Sequence, residues 1–420
     1  MAGELNRVGR AVDRAAQAGR LGRPARGSRI SQVAKAARAA RPGRSDGAGR
    51  TDAADRMVEL LGSRTGVLGA ATGMLAAGAA AGIALERYVV GRRRSADLRD
   101  DGPLGIRRGD PTIVKTTDGL ELYAEVDEPN PRVADPLTVV FCHGYALNLD
   151  CWHFQRSALE GEARLVFYDQ RSHGRSGRSP SDLCNVDQLG KDLGEVLAAL
   201  APEGPIVLVG HSMGGMSVLA LADQHPEIFA ERVVGVALLA SSAGGLDSVT
   251  LGVPGPVGRL VHRLTPAAVA AMSRAPGLIE RGRKAGSDVA YFLTKHYSFG
   301  SRVSRARVEF VAEMLAGTPI EVVADFYPGF AQHDKFHALE ALHGVETLVI
   351  GGREDLITPV EHSREIAERH PAAEYIELSD SGHMFLIEHP DVVNAALLDL
   401  LGRAATAAGS MTERPVDETG

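Results

Sequence analysis

Aromatic side chains are missing from the front of the chain: no Phe, Trp or Tyr precedes Tyr88, and all 20 of them in this 420-residue sequence follow from there. Aromatic rings supply much of the buried area of a packed core, so the folded domain is expected to begin after about residue 100. Cysteine is scarce as well. Cys142, Cys151 and Cys184 form no CxxC pair and no even set, which argues against a disulfide scaffold and a Cys-based zinc site and leaves three ordinary thiols. Lysine accounts for only six of the 46 basic residues, and with abundant Ala and Gly this looks like the codon bias of a high-GC genome. Neither sign of charge dominates overall, since 46 Lys and Arg face 53 Asp and Glu. The distribution is uneven, however: residues 1–100 hold 19 basic against 9 acidic side chains. A hydrophobic content of 44% with 24% charged residues excludes a collagenous, low-complexity or wholly disordered protein. The length allows one large α/β domain or two small ones.

Residues 1–63 are rich in Arg, Ala, Gly, Ser and Asp and poor in large apolar side chains. They cannot bury enough surface to offset the entropy of ordering and read as a disordered segment. Their Arg excess suits an anionic lipid surface, nonspecific contact with nucleic acid, or a solvated tail without a partner; nothing specifies a nucleic acid. Residues 66–85 carry no charge and are long enough as a helix to cross a hydrocarbon core, which makes 64–90 a transmembrane or membrane-associated candidate. Gly69 with Gly73 and Gly78 with Gly82 give two GxxxG spacings. The competing reading is a small-residue helix packed on protein. Arg87, Arg92, Arg93, Arg94 and Arg99 against Arg50, Arg56 and Arg64 favour a cytoplasmic catalytic domain. A soluble cytoplasmic protein, or an exported one if translation starts at Met57, are the alternatives.

From Pro111 the chain alternates apolar runs with helical periodicity, separated by Gly, Pro and Asp, as in an α/β domain with a mostly parallel sheet. Strands are expected at 111–115, 120–127, 137–142, 164–169, 205–210, 233–240, 345–350 and 374–378, and helices at 183–200, 213–225, 358–370 and 390–402. The core comprises 111–243 and 331–402, with a disordered tail at 403–420. Residues 244–330 break the rhythm and read as a helical insertion over the strand ends, either a cap that sets substrate access or a decoration.

The strand IVLVG leads into Gly210-His211-Ser212-Met213-Gly214 and then into a helical pattern. In this G-x-S-x-G turn the middle residue is held in a strained conformation, and Gly210 and Gly214 are required because a Cβ would collide with neighbouring backbone. Ser212 is the candidate nucleophile. A serine hydroxyl needs a base and the base needs an orienting acid; His383 in SDSGHMFLIEHP and Asp355 in GREDLITP each follow a strand. Thr358-Pro359 are read as opening the next helix. Glu354 is a rival acid and His389 a rival base, the latter better read as a surface or capping residue. His143 and His211 serve motif geometry. His333 and His337 share an i,i+4 spacing, read as a solvated or packed helical face rather than a metal site. The oxyanion of acyl transfer needs two N–H donors, expected from Met213 and from Tyr145 in the loop His143-Gly144-Tyr145.

The segments HGYALNLDCW, DQRSHGRS, GHSMGG, GREDLITP and SGHMFLIEHP, in this order, resemble the α/β-hydrolase superfamily, particularly its lid-bearing esterase and lipase-like members, over residues 111–402. The resemblance implies an eight-stranded, mostly parallel sheet whose second strand is antiparallel, helices on both faces, a helical cap at 244–330 and no cofactor. It also implies a serine hydrolase that cleaves a small-molecule ester or lipid. Relatives with an Asp nucleophile, the haloalkane dehalogenases and epoxide hydrolases, differ at Ser212. Acyltransferases, amidases, carbon–carbon bond hydrolases, cofactor-free haloperoxidases and non-catalytic binding members remain as alternatives. Ser172 stands where relatives often have Gly, which affects turn geometry more than chemistry.

Overall fold

Eight β-branched and apolar runs pair into one sheet in a computed structural model that describes residues 102–133, 136–246, 249 and 287–412. In chain order the strands are β1 (Asp110–Lys115), β2 (Glu121–Asp127), β3 (Thr138–Cys142), β4 (Arg164–Tyr168), β5 (Ile206–His211), β6 (Val233–Leu239), β7 (Glu346–Gly352) and β8 (Glu374–Leu378). The spatial order is β1-β2-β4-β3-β5-β6-β7-β8. β2 runs antiparallel to β1 and β4, and every other pairing is parallel. Every expected strand is present within two residues of its expected ends, and the antiparallel second strand is where it was expected.

The helices follow as α1 (His153–Leu159), α2 (Val186–Leu200), α3 (Met213–Gln224), α4 (Pro226–Glu231), α5 (Ser287–Ser298), α6 (Arg305–Gly317), α7 (Ile320–Phe330), α8 (Val360–Arg369), α9 (Phe385–Glu388) and α10 (Pro390–Thr412). Strand alternation distributes side chains to two layers. Val139, Phe141, Leu165, Phe167, Val207 and Val209 pack with α1, α9 and α10 on one face. Val140, Cys142, Val166, Tyr168, Leu208 and Leu238 pack with α2 and α3 on the other. Central strands buried on both faces need near-continuous apolarity, which is why β5 and β6 are buried at every position. The helices present matching stripes: Val393, Leu397, Leu400, Leu401 and Ala404 on α10 are buried at helical spacing. Each such Leu contributes roughly 1.5–3 kcal/mol by leaving water. Asn185 caps α2 by accepting the Gln188 N–H at 2.9 Å.

β3 is followed by β4 on one side of it in the sheet and flanked by β5 on the other, so the strand order reverses there. Loops at the carboxyl ends of β3 and β5 therefore meet at the crevice where α/β sheets hold ligands.

Several expectations change. α10 continues to Thr412, past the expected end at 402, so 403–412 are helical rather than a tail. The packed domain also starts before 111, because the Gly109 N–H donates to Glu125 and Arg108 pairs with Asp150. His333 lies outside any helix, beside the Gly244–Asp334 bridge, so it shares no helical face with His337. Residues 1–63 and 64–90 fall outside the described residues. Among the described residues no helix is long and apolar enough to cross a membrane. The membrane-anchored, transmembrane assignment is corrected accordingly. Residues 66–85 have helical length but draw their apolarity largely from Ala and Gly, which contribute far less to insertion than Leu, Ile or Phe.

Candidate active site

Ser212 sits between β5 and α3 with φ 53° and ψ −119°. A left-handed φ for a residue with a Cβ costs of order 1–3 kcal/mol and persists only where the surroundings over-determine it. Here they do. The Ser212 N–H donates to Leu239 O at 2.9 Å, and its carbonyl accepts from the Gly215 N–H at 3.0 Å and from the Ser241 hydroxyl at 2.9 Å. A Cβ on Gly214 would stand 1.9 Å from the Cys142 carbonyl oxygen, so the turn can press against β3 only with glycine there. Gly210 pairs with Cys142 and Leu238 in the sheet, one residue before the end of β5. Met213 is fully buried and opens α3, where a backbone N–H has no intrahelical acceptor.

Asp355 and His383 come from the loops after β7 and β8. Asp355 Oδ2 lies 2.8 Å from His383 Nδ1, and its other oxygen accepts the Ile357 and Thr358 N–H groups at 2.8 and 3.0 Å. Ser212, Asp355 and His383 are 5%, 3% and 6% exposed, a degree of burial that strengthens the Asp355–His383 contact. The Thr358 hydroxyl lies 2.9 Å from Asp355 Oδ2, 3.2 Å from His383 Nδ1 and 2.8 Å from the Ala240 carbonyl. The sequence pattern places that threonine at a helix start. The residue before α8 is instead Pro359, and Thr358 steadies the acid–histidine pair. A single-residue cap signal could not reveal this, because Ala240 is distant in sequence.

The flanking histidines are held neutral. His211 Nε2 donates to the His383 carbonyl at 3.0 Å, with the two rings 4.8 Å apart. Burial, then the charge of nearby His383, pushes His211 down to about 3. His143 Nε2 accepts the Gln170 N–H at 2.9 Å while Nδ1 donates to the Gly144 carbonyl at 2.8 Å, and burial likewise pushes it down to about 3. Both therefore support loop geometry and connect to the chain rather than to a reacting proton. Among the rivals, Glu354 is exposed and His389 donates to the Asp380 carbonyl at 2.9 Å. His333 and His337 go to different partners, the Ser242 carbonyl and Asp223.

The loop after β3 is tied to the inserted helices. The Tyr145 hydroxyl donates to the Val323 carbonyl of α7, and the Thr318 hydroxyl donates to the Ala146 carbonyl at 3.0 Å. Phe326 and Val322 of α7 pack with Met213, Leu189 and Cys184. The described part of the insertion thus lies against both Tyr145 and Met213.

Ser172 has φ 66°, a conformation suited to glycine. Its hydroxyl accepts the Ser179 N–H at 2.9 Å, which offsets the strain. Next to it Arg171, fully buried, is gripped by both oxygens of Asp192 at 2.5 Å.

Residues 139–396 match the Alpha/beta hydrolase family. The chain belongs to that family. It is similar to a protein of Caulobacter sp. strain K31 whose name assigns it to the carbamate hydrolases, RutD, at 28% identity over 69% of this chain and 98% of the relative. It is also 27% identical to 3-oxoadipate enol-lactonase 2 of Acinetobacter baylyi, over 64% of this chain and 90% of that one. Among solved structures, a thermophilic esterase from Thermogutta terrifontis superposes with a TM-score of 0.54 at 26% identity, covering 70% of this alpha/beta hydrolase and 98% of the esterase.

Proposed function

We propose that this alpha/beta hydrolase is a serine hydrolase of carboxylic esters, lactones included as cyclic esters, acting through Ser212, His383 and Asp355. The observation that carries the reading is the buried hydrogen bond of 2.8 Å between His383 and Asp355, at the same sheet end as a serine held at φ 53°. In the proposed reaction the Ser212 oxygen attacks the ester carbonyl while His383 Nε2 takes its proton. Asp355, bonded to Nδ1, keeps the ring in the tautomer that leaves Nε2 free to accept and stabilises the imidazolium. The oxyanion is met by the Met213 and Tyr145 N–H groups, with His143, Gly144, Gly210, His211 and Gly214 shaping the two turns that present them. His383 then returns the proton to the leaving alkoxide, and an ester bond to Ser212 remains. A water molecule attacks that acyl-enzyme, giving its proton to His383, and the acid leaves with the serine restored. α7, resting on Tyr145 and Met213, is suited with the helices before it to act as a cap that selects the acyl group. No step calls for a cofactor.

The test is labelling of the full chain by a fluorophosphonate, in the wild type and in Ser212→Ala and His383→Ala, followed by a panel of ester and lactone substrates of increasing acyl length. The expected result is stoichiometric labelling of the wild type alone, with ester turnover falling by about 10³-fold or more in each variant. A folded wild type that neither labels nor turns over any substrate refutes the reading. Turnover restricted to long chains would mark a lipase, and to short chains or lactones a carboxylesterase or lactonase.

A further inference from the structure

Glu388 is a buried carboxyl that the reaction above does not use. It closes the single turn of α9 and is 6% exposed. Three backbone N–H groups converge on it. Gly382, immediately before His383, donates to Oε2 at 2.8 Å; Gly300 donates to the same oxygen at 3.3 Å; and Ser301 donates to Oε1. Gly300 and Ser301 lie between α5 and α6, in the insertion, so one side chain bonds two segments far apart in sequence.

The surroundings reinforce the junction. The Met384 N–H donates to the Ser298 carbonyl at 2.8 Å, placing a second bond between the segments on the other side of His383. A Cβ on Gly382 would stand 2.6 Å from the Gly300 nitrogen, so the backbones touch with no side chain between them. Arg307 of α6 donates to the carbonyls of Ile387 and Glu388 at 2.8 and 3.3 Å, fixing α9 from the insertion side. Across the site, the loop after β3 is joined to the insertion in the same way, the Tyr145 hydroxyl donating to the Val323 carbonyl and the Thr318 hydroxyl to the Ala146 carbonyl.

We propose that Glu388 is a positioning residue that acts through Gly382 to fix the His383 loop against the Ser298–Ser301 junction, so that the place of the base depends on the seating of the insertion. The kinetic consequence rests on the reading of His383 as the base. A carboxyl accepting three N–H groups has both oxygens in use, and no other side chain satisfies the same pattern. Gln retains one acceptor oxygen and turns an NH2 toward an N–H donor. Asp retains both oxygens but withdraws them by a methylene. Either change leaves N–H groups unpaired at the loop that carries the base.

The experiment compares full-length wild type, Glu388→Gln and Glu388→Asp by ester kinetics, fluorophosphonate labelling rate and hydrogen exchange of the peptides around 296–303 and 379–386. Expected are a kcat lowered by about 10- to 100-fold with KM within about threefold, and full but slowed labelling of Ser212, because the base is displaced while the acyl site is retained. Protection is expected to fall together in both peptides. Wild-type kcat in both variants, loss of protection in one peptide only, or a change confined to KM overturns the proposal. If Gln does not fold, the Asp variant carries the same comparison. A wild type that never labels defeats the serine-hydrolase reading instead, and the paired exchange result still decides whether Glu388 ties the two segments.

Discussion

At residue scale, the acid–histidine pair depends on a hydroxyl that belongs to neither partner. Thr358 touches Asp355, His383 and the end of β6 through one oxygen. Thr358→Val keeps the shape and removes that oxygen, freeing Asp355 to rotate about its remaining N–H bonds. The expected outcome is a kcat/KM for ester hydrolysis lower by roughly 10-fold, about 1.4 kcal/mol in the transition state, with the melting temperature little changed. Kinetics beside a thermal melt would check this, and unchanged kcat/KM would refute it. Ser212 was legible as the centre of G-x-S-x-G because the motif is local: the turn, its glycines and its strand and helix are contiguous. Thr358 and Glu388 were not, since each acts through atoms supplied by a distant segment, Ala240 for one and Gly300 for the other.

At the scale of elements, the approach of α3 to β3 sets how close the Ser212 turn stands to the sheet. Gly214→Ala would press a methyl against the Cys142 carbonyl, 1.9 Å away, where the nearest atoms are all backbone of Cys142 and His143 and nothing flexible can yield. The expected cost exceeds about 3 kcal/mol, as for severe overpacking. Gly402→Ala on α10 meets nothing within 4 Å, and the same substitution there should stabilise by up to about 1 kcal/mol. Paired urea titrations of the two variants read the contrast; a neutral Gly214→Ala would mean that the turn does not press on β3 as described. The strands were legible from unbroken apolarity, whereas α10 ran past its expected end because Ala-rich sequence continues a helix without announcing a stop. His333 and His337 show the opposite error, since their spacing alone suggested a helix that the bridge at Asp334 prevents.

For the whole molecule, buried titratable rings set the acid limit of stability. Burial, as the first cause in each, pushes His143 and His211 down to about 3 and His173 to about 4. The unfolded chain protonates these rings near pH 6.5, so below that pH it binds more protons than the native state and stability falls. Each ring contributes up to about 1.4 kcal/mol per pH unit down to its own folded value. Asp169 acts in the opposite sense. Burial pushes it up to about 6, so between roughly pH 4 and 6 the native state holds a proton that the unfolded chain lacks, and this offsets about one ring. The expected result is a urea midpoint that drops steadily from pH 6.5 to 4.5; a midpoint that holds or rises over that interval would show that the rings are not buried neutral.

The sequence by itself determined the two-layer α/β frame, the order of its strands along the chain, the G-x-S-x-G turn at Ser212, and the two loops that bring an acid and a histidine to the ends of β7 and β8. All of these are encoded over short windows, where hydrophobic period, glycine placement and strand length act on neighbouring residues. The tertiary structure alone decided that Thr358 faces the acid rather than a helix end, that Glu388 binds the histidine loop to the insertion, and that Tyr145 reaches α7. Those contacts join segments that are far apart in the chain, and no local pattern specifies which donor a buried oxygen will meet once the sheet has brought them together.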